Sequence, residues 1–152
     1  SQCMLTAAPI RDAHGTKRPA SRSYKLDFCL VRNQARGPTP AGDARNVLYG
    51  LLTAGLPAIN SLDSIYKDLE RPLMYAELKK IEQRVGWDSF PVIPQTYYSN
   101  HACMVISPDM PAVIKVGAAH AGMGKMRVPD QTGFRDMSTV VALHGDYCTA
   151  ES

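Results

Sequence analysis

The chain opens without hydrophobic rhythm. Residues 1–25 mix Ser, Ala, Pro and basic residues with neither a two-residue nor a 3.6-residue period, which predicts a disordered, poorly packed head. Order begins at Leu26-Asp-Phe-Cys-Leu-Val31, an apolar run suited to a buried strand. The Pro- and Gly-rich stretch 37–42 reads as a loop. Asp43 is placed to cap a helix running through Ala54, with Val47, Leu48, Leu51 and Leu52 on one face and Gly55 as the stop. Leu56-Pro-Ala-Ile-Asn60 then has the character of a second short strand. A strand–helix–strand order of this kind points to parallel pairing.

The second half has a different rhythm. Ser61 can cap a short helix to Asp68, and Pro72 opens a longer one to about Val85 whose apolar stripe is Leu73, Leu78 and Ile81. Residues 91–98 are extended, and their two prolines favour the edge of a sheet. Two β-type runs within 112–128 flank a stretch of small residues, which predicts a hairpin. An amphipathic helix follows from Gly133 to Leu143, then a short strand-like run from Asp146 to Ala150. The class is α/β.

Length and composition narrow the picture. At 152 residues the chain is one domain or parts of two, and its 45% hydrophobic and 20% charged content is that of a globular protein with a real core. No apolar run is long enough to cross a bilayer, and no charged-then-apolar leader starts the chain, so membrane contact is expected to be peripheral. Cys3, Cys29, Cys103 and Cys148 lie far apart with no metal-ligand spacing, which fits reduced thiols in a cytosolic protein. The net charge of +3 leans toward anionic partners but is too small to argue for nucleic acid.

Candidate chemistry concentrates in the hairpin. Alternation puts Val113, Lys115 and Gly117 on one face of its first strand and Ala112, Ile114 and Val116 on the other. A lysine among apolar β residues must reach solvent or meet an anion. Gly117, Gly122 and Gly124 let backbone approach a ligand closely, and Lys125 adds a second positive charge just beyond them. The stretch fits neither common phosphate-loop pattern. Met126 follows Lys125 where a P-loop needs Ser or Thr, and Gly122-Met-Gly124 lacks the third glycine of a dinucleotide fingerprint. By these residues alone, a nucleotide-covering hairpin and an ordinary flexible hairpin both stay open. His120 stands at the loop's tip, where it either touches phosphate or is idle. No nucleophile elbow and no acid–base pair is nominated.

From about residue 26 the chain resembles the synapsins, in the central domain that carries their ATP-binding fold. The resemblance rests on Ala54-Gly-Leu-Pro-Ala-Ile-Asn-Ser61, on Phe90-Pro-Val-Ile-Pro-Gln-Thr-Tyr-Tyr-Ser-Asn-His101, and on Pro111 to Val128 with its Ala121-Gly-Met-Gly-Lys125. Val140-Val-Ala-Leu143 and Tyr147-Cys-Thr-Ala-Glu151 continue it in the same order. It implies that residues 26–60 are the end of a pre-ATP-grasp, Rossmann-like domain and residues 61–152 the first lobe of an ATP-grasp domain, incomplete. Residues 1–25 stay unassigned.

The resemblance also implies a site and a role. Lys115 would contact phosphate, and Gly117, His120, Gly122, Met123, Gly124 and Lys125 would form the loop over the phosphates. Glu151 would begin the linker against which adenine lies. Arg71 stands where synapsins carry a lysine near the nucleotide, keeping the charge but changing reach and fork geometry. ATP would be the ligand, with a divalent cation whose ligands lie beyond Ser152. Without that second lobe, binding is expected to be salt-sensitive and no tighter than about millimolar. The implied function is regulatory and non-catalytic: tethering synaptic vesicles and regulating transmitter release. The implied partners are the vesicle membrane surface, actin and further copies of the chain, at a cytoplasmic, presynaptic location. An ATP-grasp ligase fragment, joining a carboxylate to an amine, is the alternative implied by the fold.

Overall fold

The computed structural model describes residues 3–7, 22–37, 42–119 and 122–152. The chain divides into two compact units, Ser1–Tyr66 and Lys67–Ser152.

In the first unit, β1 (Cys3–Ala7) pairs antiparallel with β2 (Arg22–Leu26), so that Met4 faces Lys25 and Thr6 faces Ser23. The head is therefore not wholly unstructured, contrary to expectation. Its Cys-Met-Leu-Thr run suits an extended chain once a partner strand satisfies the backbone, and the Thr6 and Ser23 hydroxyls bond at 3.0 Å. The single strand expected from Leu26 to Val31 is broken, because β2 ends at Leu26 and β3 is only Cys29–Leu30. The helix α1 (Arg45–Ala54) runs to the expected stop at Gly55, and β4 (Ala58–Ile59) pairs parallel with β3. This is the predicted strand–helix–strand unit. Asp43 is not the helix cap. Ala44 takes that position, while the Asp43 carboxylate accepts from the Arg45 amide at 3.0 Å and from its guanidinium. That guanidinium holds the Asp43 carboxyl down at about 2.

Helix α2 (Leu62–Asp68) starts where Ser61 Oγ accepts from the Ser64 amide at 3.1 Å, the expected cap. Helix α3 (Arg71–Val85) carries Pro72 in its first turn, where a missing N–H costs nothing. Its predicted stripe is only partly right. Leu73 is 42% exposed, whereas Glu82 is 6% exposed and paired with Lys79 one turn earlier. A carboxylate can be buried here because the lysine neutralises it.

The second unit is built on a four-stranded antiparallel sheet in the order β5 (Gln95–Tyr98), β8 (Cys148–Glu151), β6 (Ala112–Val116), β7 (Lys125–Val128). The strand after Pro94 takes the edge, as its prolines required. The hairpin β6–β7 is in place, with Lys115 directly opposite Lys125. The last strand, β8, inserts between β5 and β6, which places Glu151 opposite both Gln95 and Val113. Helix α4 (Gln131–His144) begins at Asp130, whose carboxylate accepts from the Gly133 amide at 2.9 Å. Phe134, Met137 and Val141 of α4 form one core with Tyr98, Ile114, Val116, Val128, Cys148 and Ala150. One face of the sheet is thereby closed by apolar packing.

Candidate functional site: the polar face of the sheet

Alternation along each strand sends every second residue to the face opposite α4. From edge to edge that face carries Gln95 and Tyr97, Thr149 and Glu151, Val113 and Lys115, then Lys125 and Arg127. It is mostly polar, Val113 excepted, because the strands that build the core alternate between the two chemistries.

Lys115 and Glu151 form an ion pair across this face, with side chains 16% and 23% exposed. The lysine has thus met an anion, and the anion belongs to the chain. Gln95 Nε2 donates to the other oxygen of the same carboxylate, Glu151 Oε1, at 2.9 Å. Glu151 is therefore held from both neighbouring strands. Lys125 and Arg127 differ sharply from Lys115. Both are exposed, and neither makes an ion pair among the described residues. Lys125 stands directly opposite Lys115 on this face, a like-charge pairing that the Glu151 carboxylate offsets.

The strand ends are fixed from below and beside. The Gly117 amide donates to the Tyr147 carbonyl at 2.8 Å, and the Val116 amide donates to the Gly124 carbonyl at 2.7 Å. Gly117 has a φ of +55°, and a Cβ there would stand 2.6 Å from Asp146 Oδ2. Only glycine satisfies both demands. Gly124, at φ +70°, packs closely on the Val116 carbonyl and on Ala119. Gly122 and Met123 are exposed beside it. His120, a candidate phosphate contact, lies outside the described residues.

Arg71 reaches this hairpin from the first turn of α3. Its Nε donates to the Ala118 carbonyl at 3.1 Å and its Nη2 to the Ala119 carbonyl at 2.6 Å. The guanidinium fork spans two successive carbonyls, a geometry that a lysine's single ammonium cannot copy. Ala119 needs such support, because it holds a positive φ of 39° without being glycine. Nearby, Tyr147 Oη donates to Glu70 Oε2 at 2.6 Å, and Tyr75 Oη accepts from the Gln95 amide at 3.1 Å. These contacts fasten the start of α3 to the sheet.

Of the residues nominated from sequence, the structure brings Arg71, Gly117, Gly124, Lys115, Lys125 and Glu151 to one hairpin and one face. Sequence reasoning missed Gln95, Thr149 and Arg127. Arg127 was within reach, since the two-residue period puts it on the face of Lys125. Gln95 was not, because its partner lies 56 positions away. Thr149 is fully buried on the polar side, and its Oγ1 is the one buried side-chain polar atom without a partner among the described residues. Also among those residues, no three His, Cys, Asp or Glu side chains gather closely enough to hold a metal ion, and no helix is long and apolar enough to cross a membrane.

Fold and face together define an α/β protein with a polar, glycine-edged sheet surface that carries three cations and one carboxylate. Comparison with known proteins gives this class a family. Residues 60–152 match the family described as "Synapsin, ATP binding domain". The chain is also 34% identical to Synapsin of Drosophila melanogaster over 152 aligned residues, which take in 97% of this chain and 14% of that relative. The chain belongs to the synapsin family. It spans about a seventh of the relative's length, and the alignment reaches into the head that sequence reading left unassigned.

Proposed function

We propose that this chain forms the phosphate-receiving part of a synapsin-like, ATP-binding regulatory protein. The observation that supports this most strongly is the Lys115–Glu151 pair on the polar face, beside the glycine hairpin, within the stretch that matches a synapsin ATP-binding domain. In this reading Lys115 and Lys125 take the phosphates through charge-assisted hydrogen bonds. The backbone of Gly117, Gly122, Met123 and Gly124 lies against them. Glu151 stands where the chain leaves the sheet toward the adenine. Arg71 acts from beside the loop. The nucleotide arrives with a divalent cation shielding its charge.

The proposed role is binding, with the ligand serving as a regulator, a reading supported by the match to a family described by its ATP-binding domain. In the whole protein this site works within a cytoplasmic, presynaptic assembly that clusters synaptic vesicles. The vesicle surface, actin and further copies of the chain are its partners. Family membership supports that wider role.

Calorimetric titration with magnesium ATP tests the site. Lys115→Ala is expected to weaken binding about tenfold or more, in line with loss of one charge-assisted contact. ATP affinity that Lys115→Ala leaves unchanged would remove this face from the nucleotide site.

A further inference from the structure

Resting on that reading, we propose that Glu151 is an internal competitor for Lys115, and that this competition makes the site select polyphosphate ligands over anions carrying a single phosphate. The argument begins with what each cation on the face is doing. Lys115 is mostly buried, and its ammonium is taken by Glu151. Glu151 cannot simply drift away, because Gln95 Nε2 holds its second oxygen at 2.9 Å. Lys125 and Arg127 share the face, are exposed, and have no ion-pair partner among the described residues.

An incoming single phosphate that reaches Lys115 must break the existing pair. It then sits beside a carboxylate freed from its cation but still held in place by Gln95. One charge-assisted contact is exchanged for another, and a like-charge repulsion is added, so little is gained. A ligand with two or three phosphates has another option. Lys125 is directly across the hairpin from Lys115, and Arg127 is two residues further along the same face. Cβ atoms of opposed residues stand about 5 Å apart, and positions two residues apart along a strand are about 7 Å apart. A polyphosphate tail can therefore span from Lys115 to cations that have nothing to give up. Contacts to Lys125 and Arg127 are pure gain and offset displacement of the carboxylate. Glu151 thus raises the threshold, and the outer strand supplies what is needed to cross it. This assigns Arg127 to the binding face as well.

Titrations with inorganic phosphate, pyrophosphate, tripolyphosphate and ATP, followed by phosphorus NMR at fixed ionic strength, test this on the whole chain. Four forms are compared: wild type, Glu151→Gln, Lys115→Ala and the double variant. Gln at 151 keeps an acceptor for Gln95 while removing the charge, and circular dichroism checks that each form is folded. Wild type should bind tripolyphosphate and ATP far more tightly than phosphate. Glu151→Gln should raise the affinity for phosphate about tenfold, the equivalent of one such contact, and so narrow the preference. In the Lys115→Ala background the same change should have almost no effect, because the contested cation is gone. A gain from Glu151→Gln that persists without Lys115 would overturn the proposal, since it would be a general effect of net charge. Weaker binding of every anion to Glu151→Gln would also overturn it, by making Glu151 a contributor. If ATP binds wild type but Glu151→Gln changes nothing, only the competitor falls. If no form binds ATP or tripolyphosphate, the nucleotide reading falls with it. Arg127→Gln gives an independent arm: it should weaken tripolyphosphate several-fold and leave single phosphate unaffected.

Discussion

The two faces of the four-stranded sheet are made from alternate residues of the same strands, yet they are stabilised in opposite ways. On the α4 side, Ile114, Cys148 and Ala150 are almost completely shielded and belong to one hydrophobic core. On the other side, Lys115, Thr149 and Glu151 occupy the intervening positions of the same two strands. The apolar face gains from burial and close packing, and any side chain of suitable shape and volume would serve there. The polar face holds a charged pair whose desolvation roughly cancels its attraction, so it contributes little to folding. What that face retains instead is chemistry: a lysine paired with a carboxylate, two cations without an ion-pair partner among the described residues, and a glycine-edged hairpin. Fold and function are thus separated by a single residue's step along each strand.

The sharpest way to break this contrast is to damage the apolar face. Ile114 is fully buried at the centre of the core. Ile114→Ala is expected to cost about 3 kcal/mol, combining lost transfer energy with the cavity left behind. Urea unfolding measures it. A loss below about 1 kcal/mol would show that α4 packs far more loosely against the sheet than its contacts indicate.

Titration separates the faces by sign. Burial pushes the Cys148 thiol up to about 11 from 9.0. A thiol that is harder to ionise when folded favours the native state fully below the unfolded value of 9.0. That advantage is lost as pH rises through about 11. Stability should therefore fall between pH 9 and 11, on the order of 1–2 kcal/mol from this group by pH 10. Tyr98, buried on the same side, is shifted up as well and adds to the fall. Comparing wild type with Cys148→Ala over this range isolates the thiol. Equal slopes for the two would mean that Cys148 is hydrated in the folded chain.

Where strand β6 ends, the demand on the sequence changes from hydrophobicity to backbone shape. Gly117→Ala meets both a positive φ and the Asp146 carboxylate, and about 1–2 kcal/mol of destabilisation is expected. Because the carboxylate is the end of a side chain, Asp146→Ala in the same chain should relieve the steric part and leave the φ cost. No relief would place the whole penalty in the backbone.

How far the sequence revealed these features depends on whether their cause is local. Helices α1 to α4, the stop of α1 at Gly55, the Ser61 cap of α2, Pro72 in the first turn of α3 and the β6–β7 hairpin all arise from neighbours within a few positions. They were legible for that reason. Lys115 and Lys125 were legible as a pair because one hairpin turn joins them. The Glu151–Gln95 bond and the insertion of β8 between β5 and β6 depend on residues dozens of positions apart, and no period announces them. Arg71 was nominated for its charge, but its observed fork onto Ala118 and Ala119 is a matter of three-dimensional reach. The buried Glu82 reverses what polarity suggested, because an ion pair with Lys79 one turn away neutralises it, while Leu73 stands exposed.

The smallest effect tests the polar face where it is weakest. Thr149 lies directly opposite Lys115 on one side and Tyr97 on the other, fully buried, with no partner for its hydroxyl among the described residues. An unsatisfied buried hydroxyl is a liability, since it has lost water and gained nothing. Thr149→Val keeps the branched shape and removes that liability. The variant should be as stable as wild type or more stable by about 1 kcal/mol, read as a higher urea midpoint with unchanged slope. The apolar face gives the opposite expectation, because every truncation there costs stability. Should Thr149→Val instead lose 1 kcal/mol or more, the hydroxyl has a partner in solution, most simply an ordered water beneath Lys115. The polar face would then be a connected network whose members support one another, and Lys115→Ala and Thr149→Val would no longer add independently.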